Sequence, residues 1–359
     1  MNARLRYGIP AAALIAVSVG AVLVAAHTSP ARIGVRPAGP EHLAVGKSAG
    51  PLDGATGWIN SPPLRPSDLA GKVVVYDFWT YSCVNCVRTL PYLRQWHDRY
   101  AADGLVIVGV HSPEFAFEHV RANVEAATRR LGVTWPVALD NQKTIWDAFN
   151  TANWPTKFVT DREGHIRYKH IGEGGYQETE DVLRALLGVD PASARSASRP
   201  GADEGDATTA GGGITGETYL GTGRGVAGAR RGLITYPEPG SLGTGDCRLV
   251  GQWLAEEEKV TAATPGAAIV LRYRAREVNL VLTPPRDRTV DVQVELDGRP
   301  LEAGFRTDDV EVDDGGATYV HVDNPGMYRL VLGPAVEEHT VRLTARQPEV
   351  AAFAFTFGP

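Results

Sequence analysis

Cys83 and Cys86 are the residues whose type and spacing point most directly to chemistry. They follow an apolar, strand-like run, Val73-Val74-Val75-Tyr76-Asp77-Phe78-Trp79, and open a segment with helical periodicity. A C-x-x-C at a strand-to-helix junction sets the first sulfur beside unpaired backbone N–H groups and the positive end of the helix dipole, which favours thiolate over thiol. The pair is therefore suited to thiol–disulfide exchange. A structural disulfide or a metal site is the alternative use of such a pair. A four-thiolate zinc centre, however, needs a second C-x-x-C, and the chain has only one other cysteine, Cys247. That residue sits in a Gly-rich turn and reads as a free thiol, an intermolecular bridge or a small buried side chain.

The elements that must position the pair follow from hydrophobic periodicity. The pattern predicts a strand at 72–79 and a helix at 84–101, with Val87, Leu90, Leu93, Trp96 and Tyr100 on its apolar side. A buried strand follows at 105–110. Phe117, Val120, Val124, Ala127 and Leu131 then recur at three and four residues and predict an amphipathic helix over 117–131. A short strand at 137–139, a short helix at 142–150, a hairpin of 157–160 with 166–170 and a last helix at 178–187 complete the series. This order is an α/β sheet with helices on both faces, and chemistry belongs at its strand-to-helix turns, where Cys83 falls.

The chain has 359 residues, enough for two domains, and a net charge of −6 offers no surface for nucleic acid. Arg4 and Arg6 precede an uncharged apolar run ending at Ala26, so residues 1–26 read as a signal anchor with the bulk exported. Cleavage after Val24-Ala25-Ala26, giving a secreted protein, is the alternative. Residues 27–57 read as a tether, 58–189 as the α/β domain and 190–213 as a flexible linker. Residues 214–359 read as an all-β jelly-roll sandwich with strands at 268–274, 277–283, 289–296, 318–322, 327–332, 339–345 and 351–357. Trp253, Tyr273, Tyr319 and Tyr328 serve its core or stack on sugar rings. The acidic stretch 308–314 is a solvated turn or a calcium site, and His111, Glu114 and Glu173 lie in solvated loops or line the cleft.

The stretches Asp77-Phe78-Trp79-Thr80-Tyr81-Ser82-Cys83-Val84-Asn85-Cys86 and Trp154-Pro155-Thr156-Lys157-Phe158-Val159 resemble the active-site and cis-proline segments of thioredoxins. Adding Trp58-Ile59-Asn60-Ser61-Pro62-Pro63-Leu64 and Gly109-Val110-His111-Ser112-Pro113-Glu114, the pattern resembles the TlpA/ResA-like exported thioredoxins. More narrowly, it resembles the soluble C-terminal region of DipZ proteins, where such a domain precedes a carbohydrate-binding-module-like jelly roll. The resemblance implies that Cys83 attacks and Cys86 resolves, and that Asp77 relays a proton behind them. It places Trp79, Trp154, a cis Pro155 and Thr156 along the substrate.

The implied function is an exported, membrane-tethered thiol–disulfide oxidoreductase, a reductase of envelope proteins with a place in cytochrome c biogenesis. It needs no cofactor or metal. Its partners would be disulfide-bearing or dithiol envelope proteins, with a glycan as a further ligand for the β domain. DipZ proteins carry a multi-helix electron-conducting membrane domain and this sequence has at most one span, so a separate membrane protein must donate electrons. Ser82 stands where thioredoxins usually carry Trp, and Val84-Asn85 replaces their Gly-Pro dipeptide. Two other readings compete. One is a thiol peroxidase on the same fold, for which Tyr76 stands where a P-x-x-x-T-x-x-C motif needs proline. The other is a glycan or protein docking module with a secondary redox domain.

Overall fold

The computed structural model describes Ser48 and residues 50–189, 213–225 and 228–359. The anchor or signal segment 1–26, most of the tether 27–57 and nearly all of the linker 190–213 lie outside the described residues.

The first domain runs β1 (Gly57–Ile59), α1 (Pro66–Leu69), β2 (Val73–Trp79), α2 (Val84–Tyr100), β3 (Leu105–His111), α3 (Arg121–Arg130), β4 (Val137–Leu139), α4 (Thr144–Ala148), β5 (Thr156–Thr160), β6 (Ile166–Ile171) and α5 (Tyr176–Leu187). Its sheet has the order β1-β4-β3-β2-β5-β6. Strands β2, β3 and β4 are parallel; β5 is antiparallel to β2, and β6 to β5.

All residues of β2 are buried, as a central strand covered on both faces requires. Val73, Val75 and Trp79 meet Leu90, Leu93 and Trp96 of α2, with α3 and α5 in the same cluster. Val74, Tyr76 and Phe78 face the other way, onto Trp146, Phe149 and Phe158. Strand alternation then puts Asp77 on the α2 side, behind the cysteines. The end of the segment read as tether also packs here, since Leu52 is buried in the Phe78 cluster.

The predicted helix over 117–131 is two elements. A 3-10 turn, Ala116–His119, ends at Val120, whose extended backbone (φ −79°, ψ 110°) precedes α3. Val120, counted among the apolar positions, is 50% exposed. The cause is Glu118, which is fully buried and holds the turn by accepting from the backbone N–H groups of Glu114 and Phe115 at 2.6 and 3.0 Å.

The second part of the chain is all β: β7 (Thr218–Tyr219), β8 (Gly232–Tyr236), β9 (Cys247–Ala255), β10 (Val260–Ala262), β11 (Ala268–Thr283), β12 (Val290–Leu296), β13 (Arg299–Pro300), β14 (Val310–Val312), β15 (Thr318–Val322), β16 (Gly326–Ala345) and β17 (Ala351–Gly358). They form one 11-stranded hydrogen-bonded sheet. The segments expected as separate strands at 268–274 and 277–283 are one strand, as are 327–332 and 339–345. No reversing turn lies between them, and the register instead slips between Ala275 and Glu277, as at a β-bulge. Trp253 and Tyr273 are core residues. Tyr328 Oη donates to the Asn324 carbonyl, and Tyr319 Oη to Glu311, so both serve local structure. Within the acidic stretch, Asp309 accepts from the Arg329 N–H and Asp313 from the Gly315 and Ala317 N–H groups and from Arg346.

Candidate active site

Cys83 is the N-cap of α2, and the Cys86 backbone N–H donates to its Sγ at 3.3 Å. The sulfur thus faces both that N–H and the first turn of the helix. Cys83 is partly exposed and lines a cavity of about 370 Å³; Cys86, one turn on, is fully buried. Burial raises the Cys86 thiol well above its ordinary value, and the neighbouring Cys83 and Asp77 add to this. One sulfur is therefore placed to meet a substrate and the other only to meet its neighbour.

Asp77 is 1% exposed and pairs across the sheet with Lys157 of β5, itself fully buried. Directly opposed residues of antiparallel strands point to the same face, so the carboxylate and ammonium share the space behind the sulfurs. Neither carboxylate oxygen nor Lys157 Nζ has a hydrogen-bond partner among the described residues. Burial pushes Asp77 up to about 6, against the opposing pull of the Lys157 charge. Burial also pulls Lys157 down, opposed by Asp77, Cys86, Glu173 and Cys83. On β3, Gly109 stands opposite Asp77, where any Cβ would press on the Trp79 and Trp135 indole nitrogens.

The residues expected along the substrate divide. Trp154 lines the cavity, its indole N–H donating to the Ser112 carbonyl at 3.0 Å, and the Trp154–Pro155 bond is cis. Trp79 and Thr156 do not reach the cavity. Trp79 is 1% exposed because its place on β2 turns it into the α2 core, edge-on to His111. Thr156 is equally buried, and its hydroxyl donates to the Asn153 carbonyl at 2.8 Å.

His111 is not a loop residue. It ends β3, fully buried, stacked on Tyr81 and 3.4 Å from the Thr80 hydroxyl, and burial lowers its pKa to about 3. Glu114 borders the cavity in an ion pair with Arg224. Glu173 pairs with Arg88 of α2, which also reaches Glu277 in the β domain at 2.6 Å.

Two buried charged groups, Lys157 and Glu118, escape a reading of sequence pattern. Glu118 accepts from Ser82 at 2.6 Å and also from the Thr80 hydroxyl, tying the segment before Cys83 to the 115–119 turn. Burial raises its pKa while these hydrogen bonds oppose. The available signal for Lys157 was a lone charge within a strand otherwise fit for burial. Cys247 lies in the β core, its thiol pushed up to about 12 by burial.

Residues 61–187 match the Redoxin family model, and residues 215–358 match one described as Thioredoxin like C-terminal domain. Protein DipZ of Mycobacterium tuberculosis is 33% identical over 315 residues, covering 86% of this chain and 42% of that one. The chain thus spans less than half the length of this relative. Thiol-disulfide oxidoreductase ResA of Geobacillus kaustophilus is 31% identical over 127 residues, 35% of this chain and 68% of its own. The solution structure of a thioredoxin-like protein in the oxidized form is 25% identical, covers 41% of this chain and all of its own, and superposes with a TM-score of 0.38. On the two family matches and these relatives, the chain belongs to the TlpA/ResA-like, DipZ-like thioredoxin proteins.

Proposed function

We propose that the protein is an exported, membrane-tethered disulfide reductase of envelope proteins, acting in processes such as cytochrome c biogenesis. The observation that carries the reading is the unequal placement of the two sulfurs, Cys83 open to the cavity and Cys86 sealed beneath it. Cys83 thiolate attacks one sulfur of a substrate disulfide, forming a mixed disulfide and releasing the other sulfur as a thiolate. Cys86 passes its proton to the Asp77 carboxylate, which Lys157 keeps available, and attacks Cys83 Sγ. The second substrate sulfur leaves, and the enzyme pair is oxidised by two electrons. A membrane dithiol donor would then restore it. Trp154 and Pro155 border the path of the bound chain. In this reading the β domain is a carbohydrate-binding-module-like jelly roll bent at its bulges.

The test compares reduction of insulin or apocytochrome disulfides with peroxide turnover by the same protein. Cys86→Ser should trap the mixed disulfide through Cys83, and Cys83→Ser should abolish it. Peroxide turnover outpacing disulfide reduction would move the protein to the thiol peroxidases. A redox titration against glutathione decides direction. A reductase should lie near the roughly −270 mV of thioredoxin, and a strong oxidant near roughly −120 mV.

A further inference from the structure

Beyond the reacting sulfur, the cleft continues along the second domain. The cavity of about 370 Å³ beside Cys83 has walls from both domains and falls in the ~300–1,000 Å³ range of ligand clefts. A second cavity of about 300 Å³ shares Glu114, Phe115, Tyr219 and Arg224 with it and runs on to Glu257 and Glu258. Together they make one groove that starts at Cys83.

Register builds the far wall. Asn279 of β11 pairs with Thr356 of β17, and Ala354 of β17 with Tyr219 of β7. By strand alternation these side chains face away from Val278, Leu280 and Phe355 of the β core and towards the first domain. Thr356 is 8% exposed and lines the cavity, yet its hydroxyl has no partner among the described residues. Beside it, Asn279 is fully buried with both amide atoms unpartnered. Such a hydroxyl can accept from an N–H or donate to a C=O of an extended main chain, whereas Asn279 lies behind it and lines neither cavity.

The charge of the groove is one-sided. Glu114, Glu217, Glu257 and Glu258 line it against the single guanidinium of Arg224. Tyr219 Oη lies 2.9 Å from Glu114 and 3.0 Å from Glu217, but it has one proton to give. Arg224 is held by Glu114 at 2.5 Å and its charge also acts on Glu217 at the exposed rim, so two carboxylates share one cation. Arg224 also covers the Tyr219 ring, 4.2 Å from its centroid, which removes the aromatic face a sugar would stack on.

We infer that this groove binds an extended polypeptide segment carrying Lys or Arg beside the cysteine that Cys83 attacks. The β domain thereby reads sequence around the substrate disulfide. The inference rests on the reductase reading and adds its substrate class.

The test uses the full chain and three peptides, each with one internal disulfide, identical except for Lys-Lys, Gln-Gln or Glu-Glu next to one cysteine. The Lys-Lys peptide should exceed the Glu-Glu peptide in kcat/KM by roughly tenfold, chiefly through KM, with the ratio shrinking in high salt. Glu217→Gln should cut that ratio, and Thr356→Val should raise KM for all three peptides. Calorimetric binding of the same sequences with serine for cysteine should follow the same order, which keeps the inference testable if no disulfide is reduced. Equal binding of the three sequences would overturn it while leaving disulfide reduction standing. Competition by a neutral oligosaccharide without discrimination among the peptides would also overturn it and assign the groove to a glycan.

Discussion

Burial separates two sulfurs of the same type, and the charged groups behind them carry the pH dependence. In the proposed mechanism Asp77 must be ionised to take the Cys86 proton, so the resolving step should accelerate as pH rises through about 6. Asp77→Asn should slow that step by roughly a hundredfold and flatten its pH profile, read by quenched-flow trapping of the mixed disulfide. The stability linkage has the opposite sign. With its folded pKa raised from 3.8 to about 6, Asp77 contributes stability below 3.8 that is lost as pH rises through 6. Replacing the buried pair together by apolar residues, as Asp77→Leu with Lys157→Met, should stabilise the fold at pH 7.5 by about 1–4 kcal/mol, measured by urea unfolding. His111 acts at the acid end. Its folded pKa is depressed from 6.5 to about 3, so its contribution is present above 6.5 and lost as pH falls. His111→Gln should remove about 3 kcal/mol of acid sensitivity between pH 6.5 and 4.

At the scale of elements, β2 and α2 were legible because their apolar spacing is regular and each has a burial pattern of one kind. The 116–130 region was not, because its organiser is a carboxylate. Glu118 receives Thr80, Ser82 and two backbone N–H groups, contacts that hydrophobic periodicity does not encode. Glu118→Ala would strand those donors at a cost of about 1–3 kcal/mol for each one left unsatisfied. Hydrogen exchange should then show the Glu114 and Phe115 amides losing protection well before those of β2.

The whole molecule is joined next to its active site. Phe115 and Phe117 pack on Phe353 of β17, with centroids 5.1 and 4.9 Å apart, and Arg88 links α2 to Glu277 of β11. Phe353→Ala removes the ring shared by the two halves and should cost about 3–5 kcal/mol. Calorimetry should then resolve two unfolding transitions, against a single one expected for the unaltered protein.

The C-x-x-C, its strand-to-helix setting and the change from α/β to all-β are local patterns, and the amino-acid order alone determined them. Distant contacts decided the rest. Lys157 meets Asp77 only because β5 lies antiparallel beside β2, and Glu118 becomes buried only because its turn folds over the end of β2. The β domain walls the cleft only because one face of β11 and β17 packs on the first domain. Periodicity reports which face of an element is apolar; it carries no information about which element will cover that face.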